Sequence, residues 1–249
     1  MERRFEGKVV AVTGGRSGIG AACVARFEAE GATCHVLDIT DADLPIDVRD
    51  EAAVDAWFAA LPDSPDVLVN AAGTGGLARI VDLDFTEWRR VLDINLDGTF
   101  LALRAAARRM VAAGRGGSVV NVASINQEWA LNGFGAYCSS KAAVQMLTKV
   151  AALELGPHDI NVNAIAPGPV DTPLSAGLHA IPGADAEIED RTPLGGRWGR
   201  PDEQAAVVAF LASADGHWIT GRSITVDGGH SLVGEPDFLR MVEKLEGLS

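Results

Sequence analysis

The sequence predicts an α/β fold with a doubly wound parallel sheet, formed by one domain that spans residues 1–249. Three observations predict it. Short apolar runs alternate with stretches of helical period, a glycine-rich turn joins the first run to the first helix, and the length suits one such sheet. The apolar runs are nearly continuous, as expected for strands that helices cover on both faces.

The predicted strands are short, apolar runs rich in β-branched residues. They are residues 9–12, 33–37, 67–70, 118–122, 161–165 and 223–226. The helices carry apolar residues at helical spacing, and Pro201 suits the first turn of the last one. They are residues 21–30, 51–61, 86–113, 137–155 and 201–214.

Three segments do not fit this alternation. The stretch between Asp38 and Leu44 is too short for a crossover helix, so a loop is predicted before the extended residues 44–48. Residues 170–200 are rich in proline and glycine and are predicted to form a lid, because so long a loop in a compact domain is usually functional. A C-terminal helical tail at about 230–249 carries an apolar stripe that needs cover. Its members are Phe238, Met241, Val242, Leu245 and Leu248.

The formal net charge of −13 at pH 7 argues against nucleic-acid and anionic-membrane partners, since both bind basic surfaces. A small-molecule partner is expected. Cys23, Cys34 and Cys138 lack metal-type spacing and are predicted to be free, buried thiols, which favours the cytoplasm. No signal-peptide pattern opens the chain, and no uncharged run is long enough to span a membrane. The histidines show no cluster with carboxylates or cysteines, so no metal is predicted.

The turn from Thr13 to Gly20 is typical of a phosphate-binding site. A glycine turn that enters a helix presents backbone N–H groups and the positive end of the helix dipole to a pyrophosphate. Asp38 ends the next strand, where a carboxylate binds both ribose hydroxyls of NAD and repels the additional phosphate of NADP. NAD is therefore predicted over NADP. Two alternatives stay open: Asp38 could only cap a turn before Thr40, and Arg16 could meet that phosphate.

Tyr137, the single tyrosine of the chain, lies four residues before Lys141, so the two side chains share one helix face. A nearby cation favours the phenolate, the form in which a tyrosine acts as a base. Such pairs are common on protein surfaces, but this one follows a strand whose carboxyl end faces the ligand crevice of an open sheet. Ser124 follows that strand and offers a hydroxyl to hold a reacting oxygen.

Taken together, these motifs resemble those of the short-chain dehydrogenase/reductase family, in its compact single-domain form, over nearly the whole chain. Thr13-Gly14-Gly15-Arg16-Ser17-Gly18-Ile19-Gly20 resembles its cofactor loop, Asn70-Ala71-Ala72-Gly73 its sheet-stabilising motif, and Ser124, Tyr137 and Lys141 its catalytic triad. Asn95 matches a fourth catalytic position, which in the family shapes a helix and holds a water linking the lysine to solvent. Asp47-Val48 resembles the pair lining the adenine, Pro167-Gly168-Pro169-Val170-Asp171-Thr172 the nicotinamide-side loop, and Val226-Asp227-Gly228-Gly229 the closing strand.

The resemblance implies a Rossmann-like, NAD-dependent oxidoreductase that interconverts a secondary alcohol and a ketone, with Tyr137 as acid/base and residues 170–200 as a substrate lid. The implied catalytic residues are Asn95, Ser124, Tyr137 and Lys141. The implied cofactor-binding residues are Gly14, Arg16, Ser17, Gly18, Ile19, Gly20, Asp38, Asp47, Val48, Asn70, Ala71, Gly73, Tyr137, Lys141, Pro167, Gly168, Val170 and Thr172. A homotetramer is also implied, and the tail is expected to pack on a neighbouring subunit or, alternatively, on its own.

The chain departs from the family pattern in two places. The helix between Asp38 and Leu44 is missing, which weakens the placement of Asp47 against the adenine. Residues 126–129, Asn-Gln-Glu-Trp, predict a polar and aromatic pocket wall, serving either specificity or packing. Two other functions stay open: an NADP-dependent 3-oxoacyl or other ketoreductase, and a non-catalytic dinucleotide sensor or scaffold. Sugars, cyclic diols, steroids and hydroxyacyl thioesters all remain candidate substrates, with polyhydroxylated or cyclic alcohols slightly favoured.

Overall fold

The structure, a computed structural model, describes residues 3–41 and 43–233. Its strands are β1 Val9–Thr13, β2 Thr33–Leu37, β3 Val67–Asn70, β4 Gly117–Val122, β5 Ile160–Pro167 and β6 Ser223–Val226. Its α-helices are α1 Gly18–Ala29, α2 Glu51–Ala60, α3 Phe85–Leu92, α4 Gly98–Ala113, α5 Gly135–Leu155, α6 Ala176–His179, α7 Ala184–Asp190 and α8 Pro201–Ala212. The six strands form one parallel sheet in the order β2-β1-β3-β4-β5-β6, which confirms the predicted fold class.

Helices cover both faces of the sheet because successive strand residues point to opposite sides. In β1, Ala11 joins one buried cluster with Phe58 of α2 and Met110 of α4. Val10 and Val12 join the other, with residues of α1 and α8. Two apolar layers therefore enclose the sheet and hold the carboxyl ends of its strands in a common edge.

The strand order reverses between β1 and β3, since β2 lies on one side of β1 and β3 on the other. In open α/β sheets, ligands bind at such a reversal, in the crevice beyond the carboxyl ends of the strands. The glycine turn after β1 and the segment after β3 both leave the sheet at this point. The topology thus places the predicted phosphate-binding turn at the crevice.

The connection from β2 to α2 is a loop, as predicted. Residues 44–48 were expected to be extended, but they form no strand of the sheet. Ile46 instead donates its N–H to the carbonyl of Asp38 at 3.0 Å, and both Ile46 and Val48 are buried in the apolar layer beside α2 and α4. Because no further strand is added here, β2 forms one edge of the sheet.

The predicted helix 86–113 is interrupted. A π-helical turn, Asp93–Asp97, separates α3 from α4. Such turns insert one residue into a helical repeat and are frequent at functional sites. Here the turn carries Asn95, which the sequence analysis assigned to the site.

Residues 170–200 form neither one strand nor one long helix, as predicted. They contain a 3₁₀ turn, Pro173–Ser175, followed by the short helices α6 and α7. The predicted tail stripe from Phe238 to Leu248 lies outside the described residues. Within the described part of the chain, no helix combines the length and the apolar character needed to cross a bilayer.

Candidate active site

The glycine turn after β1 packs tightly against two neighbouring segments. Gly14 has a φ of +67° and donates its N–H to the carbonyl of Leu37, at the end of β2, at 2.9 Å. A Cβ on Gly14 would lie 2.6 Å from the backbone nitrogen of Ala72, and a Cβ on Gly20 would lie 2.1 Å from the Gly14 carbonyl oxygen. Only glycine permits these contacts, which join the turn, the end of β2 and the segment after β3.

The N-terminus of α1 faces this turn without a side-chain cap. Ser17 occupies the N-cap position, but its side chain makes no capping hydrogen bond. The first N–H groups of the helix are therefore left for an anion, and their dipole favours one. Gly18 has a φ of +50°, and a Cβ there would lie 3.3 Å from the side chain of Thr172. These residues fit a pyrophosphate, with the predicted nicotinamide-side loop next to it.

Asp38 lies beyond the carboxyl end of β2 and is buried. Its Oδ2 accepts the backbone N–H of Arg16 at 3.0 Å, and its Oδ1 accepts the N–H and the hydroxyl of Thr40 at 2.9 and 2.8 Å. Asp38 therefore caps the turn at Thr40, one of the two alternatives left open by the sequence. The same carboxylate also contacts the glycine turn, where the ribose of a bound dinucleotide would lie.

Two predicted cofactor residues have carboxylate or guanidinium partners of their own. The Arg16 guanidinium pairs with Asp41, with Nε 3.1 Å from Oδ2, and this bond holds the pKa of Asp41 below its usual range. Asp47 accepts from Arg49 Nε at 3.0 Å and from the Arg49 backbone N–H at 2.9 Å. Arg49 therefore engages the Asp47 carboxylate within the loop that replaces the missing helix, and the placement of Asp47 against an adenine stays a prediction.

Buried amides join the central strands to α5. Asn70 donates from Nδ2 to Asn121 Oδ1 at 2.9 Å, and Asn121 donates to Thr148 Oγ1 at 2.9 Å. Ala71 donates its N–H to the Thr13 carbonyl at 3.1 Å. This chain of hydrogen bonds fixes the segment after β3 against the glycine turn, in agreement with the sheet-stabilising motif that the sequence resembled.

Ser124, Tyr137 and Lys141 meet beyond the carboxyl end of β4. Burial raises the pKa of Tyr137, and the neighbouring Ser124 side chain partly opposes this rise. Lys141 Nζ lies 5.7 Å from the centroid of the Tyr137 ring and donates to the Val122 carbonyl at 2.8 Å. Burial lowers the pKa of Lys141 to about 8. The structure thus brings together the hydroxyls of Ser124 and Tyr137 and the amino group of Lys141, whose pKa is lowered by burial.

Asn95 is buried in the π-helical turn, and its side chain is fully hydrogen-bonded. Nδ2 donates to the Thr74 carbonyl at 3.0 Å and to Ser140 Oγ at 2.9 Å, while Oδ1 accepts the Thr74 N–H at 2.8 Å. Ser140 in turn donates to the Tyr137 carbonyl at 2.7 Å. A Cβ on Gly73 would lie 3.4 Å from Asn95 Oδ1 and 3.7 Å from Lys141 Nζ. Asn95 therefore links the segment after β3 to the first turn of α5.

Only part of the predicted pocket wall at residues 126–129 contacts the site: Asn126 bonds to Ser124, whereas Gln127 and Glu128 bond to other parts of the structure. Asn126 donates its N–H to Ser124 Oγ at 3.1 Å, and its Oδ1 accepts the Ser124 hydroxyl at 3.2 Å. Gln127 bonds instead to Ser223 of β6 at 2.9 Å, and Glu128 accepts from Gln145 at 2.6 Å. The sequence did not predict that Asn126, unlike Gln127 and Glu128, bonds to the Ser124 hydroxyl, although its position two residues after Ser124 was a signal.

The lid contains a polar cluster that the sequence analysis missed. His179 Nδ1 lies 2.7 Å from Asp185 Oδ1, which also accepts from Trp198 Nε1 at 3.0 Å. His179 Nε2 lies 3.5 Å from Asp171, and its ring centroid is 4.2 Å from that of Trp198. The expectation that the histidines have no carboxylate neighbours is wrong here, because α6 and α7 bring distant residues together. Among the described residues, no group of three or more His, Cys, Asp or Glu could hold a metal.

The cysteine prediction is largely confirmed. Cys23, Cys34 and Cys138 are all free, although only Cys23 is fully buried. Burial raises the pKa of Cys23 and of Cys34 to about 12, so both thiols are poor nucleophiles at neutral pH.

Comparisons with known proteins agree with this geometry. A family model described as enoyl-(acyl carrier protein) reductase matches residues 14–231. The NAD-dependent glycerol dehydrogenase of Listeria innocua is 36% identical, over 90% of this chain and 94% of that protein. The 3-alpha-(or 20-beta)-hydroxysteroid dehydrogenase of Mycobacterium tuberculosis is 38% identical, over 92% and 91%. A gluconate 5-dehydrogenase from Burkholderia cenocepacia, solved with NADP and tartrate, superposes with a TM-score of 0.87 at 30% identity, covering 94% and 98%.

The match to the family model covers most of the chain, and the relatives align with it nearly end to end. The residues matched by the family model, 14–231, include Ser124, Tyr137 and Lys141. The chain therefore belongs to the short-chain dehydrogenase/reductase family of oxidoreductases.

Proposed function

We propose that this oxidoreductase uses NAD to interconvert a secondary alcohol and a ketone, with Tyr137 as its acid/base. The observation that carries the proposal is the meeting of Ser124, Tyr137 and Lys141 beside an uncapped helix N-terminus. The Ser124 hydroxyl can hold the substrate oxygen, and the Tyr137 oxygen can accept its proton. The N-terminus of α1 offers the anion site for a dinucleotide. A sensor or scaffold would not need the first of these two features.

The chain offers a continuous set of cofactor contacts. The glycine turn and the first N–H groups of α1 would hold the pyrophosphate, Asp38 one ribose, Lys141 the other ribose, and Val170 and Thr172 the nicotinamide side. When bound, the nicotinamide serves as the hydride acceptor or donor. Asp47, whose carboxylate pairs with Arg49, would lie beside the adenine.

Proton transfer falls to Tyr137. In the oxidation direction the Ser124 hydroxyl holds the substrate oxygen and the Tyr137 oxygen takes its proton. Burial raises the pKa of Tyr137, so the phenolate needs a counter-effect, which the neighbouring Lys141 ammonium and the positive charge of the oxidised cofactor supply. A positioned acid/base contributes roughly 10²–10⁴-fold to a rate. Asn95 and Ser140 act indirectly, by bracing the first turn of α5.

NAD is favoured over NADP by the carboxylate at the end of β2. Asp38 stands where the ribose hydroxyls of an adenosine would lie, and a carboxylate there repels a 2′-phosphate. An NADP-dependent ketoreductase is the second candidate, because a similar solved structure holds NADP and because Arg16 lies in the glycine turn. The ratio of the two cofactor affinities separates these functions.

The substrate is proposed only as a class. The named relatives act on a polyol, a sugar acid and steroids, and Asn126 is the polar wall residue that contacts Ser124. Polyhydroxylated or cyclic secondary alcohols are therefore the first compounds to test. We also propose a homotetramer, from the family resemblance, and a cytoplasmic location, which the three free cysteines support.

The test follows absorbance of the reduced nicotinamide with NAD and NADP in parallel, against a panel of secondary alcohols and diols, for wild type and Tyr137→Phe. We expect NAD reduction by wild type and, for the variant, less than about one-tenth of the turnover with NADH affinity retained. Retention of more than that rate would refute the assignment of Tyr137. NADH binding without turnover of any compound would favour the sensor function.

A second measurement does not depend on finding the substrate. Because Tyr137 is the single tyrosine, an ultraviolet difference titration of the tyrosinate band reports its pKa directly, with Tyr137→Phe as the blank. We expect the pKa of Tyr137 to fall when NAD binds, because a positive charge near the phenol favours phenolate. An unchanged or raised pKa would argue against the proposed arrangement.

A further inference from the structure

The loop after β2 brings a second carboxylate to the predicted ribose site. Asp41 lies three residues beyond Asp38, and its side chain is only 11% exposed. Its Oδ1 accepts the backbone N–H groups of Asp43 and Leu44, at 3.0 and 3.3 Å, so the short loop holds it in place. A crossover helix at this point would not place these groups in the same way. The chain's main departure from its family thus lies at the cofactor crevice.

The Asp41 carboxylate points toward the glycine turn. Its Oδ2 is bonded to the Arg16 guanidinium through both Nε, at 3.1 Å, and Nη2. The backbone N–H of the same arginine donates to Asp38. Arg16 is therefore attached at its main chain to one carboxylate and at its side chain to the other. If the adenosine ribose binds at Asp38, as proposed above, a 2′-phosphate on it would meet this guanidinium.

An arginine at such a site normally favours a phosphate, because its planar fork forms two charge-assisted hydrogen bonds to phosphate oxygens. Here Asp41 engages the Nε–Nη2 edge of the fork, and its negative charge offsets that of the guanidinium. Asp41 acts on Arg16 by hydrogen bond and charge, and Asp38 and Asp43 act on it by charge alone, so the four side chains carry a formal charge of −2. A doubly charged phosphate would have to displace Asp41 from that edge, or bind the remaining guanidinium donors, and in either case would enter against this negative charge.

We propose that Asp41 is a cofactor-specificity residue that excludes NADP by neutralising Arg16. This inference rests on the proposed dinucleotide site and adds to it a second discriminating group besides Asp38. Asp41 disfavours the binding of a ribose 2′-phosphate. It does so through the Arg16 side chain rather than by contact with the ribose.

The experiment measures the dissociation constants of oxidised NAD and NADP by titration calorimetry, without turnover. Asp41→Asn keeps an acceptor for the Asp43 and Leu44 N–H groups but removes the charge. We expect it to raise NADP affinity relative to NAD by about tenfold or more, since the freed guanidinium can bind the phosphate. Asp43→Asn removes an equal charge from the same loop, but one that acts on Arg16 only through its charge and without a hydrogen bond, and it should change the ratio by about twofold or less.

The same substitution in an Arg16→Ala background tests whether the effect passes through Arg16. We expect the rise in the ratio to shrink there to less than about threefold, because coupled residues are not additive. An unchanged ratio in Asp41→Asn, an equal rise in Asp43→Asn, or a full rise without Arg16 would each overturn the inference. The wild-type ratio reports separately on the proposed NAD preference, since a change caused by Asp41 is measured relative to that starting value.

Discussion

The burial of Lys141 in the site lowers the stability of the folded chain. It is 5% exposed, and burial lowers its pKa to about 8 from an ordinary value of 10.5. The ammonium is therefore less stable in the folded chain than in the unfolded one. A difference of this size corresponds to about 3 kcal/mol, as an upper figure, that folding loses at neutral pH. The hydrogen bond from Nζ to the Val122 carbonyl offsets part of that cost.

We expect Lys141→Met to raise the free energy of unfolding at pH 7 by about 1–3 kcal/mol while abolishing turnover, because it removes a buried charge and keeps an apolar stem. The sign of the pH dependence follows from proton binding. Between pH 8 and 10.5 the unfolded wild type binds more protons at this position than the folded one, so its stability rises with pH. The advantage of the variant should therefore shrink across that window. Urea unfolding at several pH values measures both effects.

Lys149→Met is the matched control, since Lys149 is exposed on the same helix. It should show neither the gain at pH 7 nor its loss at higher pH. A Lys141→Met protein that is less stable than wild type at pH 7 would show that the bond to Val122 outweighs the burial of the charge.

Individual site residues were predictable where the chemistry is local. Tyr137 and Lys141 are four apart on one helix and Ser124 follows a strand end, so helical spacing together with the position of that strand end predicted the group. The pocket wall at 126–129 was predicted, but the role of Asp41 and the bond from Asn126 to Ser124 were not, because each depends on a loop whose course is set by tertiary contacts. Arg16 was recognised as a phosphate contact, but its partner lies across the loop that follows β2.

At the scale of elements, a backbone bridge between Val170 and Gly199 joins the two ends of the lid, and side chains join its helices. Asp185 on α7 accepts from His179 on α6 and from Trp198 near the start of α8, and the two rings are in contact. One carboxylate therefore joins three parts of the lid. These bonds are partly exposed, so each contributes a modest amount to stability.

We expect Asp185→Ala to loosen the lid without changing the chemistry near Tyr137. KM for the alcohol should rise about three- to tenfold while kcat changes less, since the lost bonds position the lid and not the reacting oxygen. Hydrogen exchange of residues 176–198 should increase in the same variant. Glu189→Ala, an exposed change on α7, is the control. Equal losses of kcat in both variants would contradict this role of the lid cluster.

The order and type of most elements followed from the pattern of apolar residues, and the boundaries shifted by a few residues. The π-helical turn at Asp93–Asp97 was missed, because one inserted residue hardly changes the apolar spacing of a long helix. The extended residues 44–48 were expected from their sequence, yet Ile46 and Val48 are buried by packing beside α2 and α4. Packing against neighbouring elements buries these apolar side chains without adding a strand to the sheet.

At the scale of the whole molecule, α5 presents an apolar stripe that the described residues do not cover. Met146, Val150 and Leu153 recur at helical spacing, and Leu153 is 80% exposed. Phe100 and Val111 are exposed on the adjacent α4. A contiguous apolar face on a chain with a net charge of −13 indicates a protein contact. A second copy of the same face is the partner that the proposed homotetramer requires.

We therefore expect Val150→Glu combined with Leu153→Glu to reduce the assembled mass, measured by light scattering. In an isologous interface each substitution occurs twice, so two changes in the chain place four carboxylates against one another in an apolar setting. Leu44→Glu, a comparable change at an exposed apolar side chain on the loop after β2, should leave the mass unaltered. If the double variant keeps the wild-type mass, the α5 stripe does not form the interface; if wild type is itself a monomer, the homotetramer is wrong and the stripe needs another explanation.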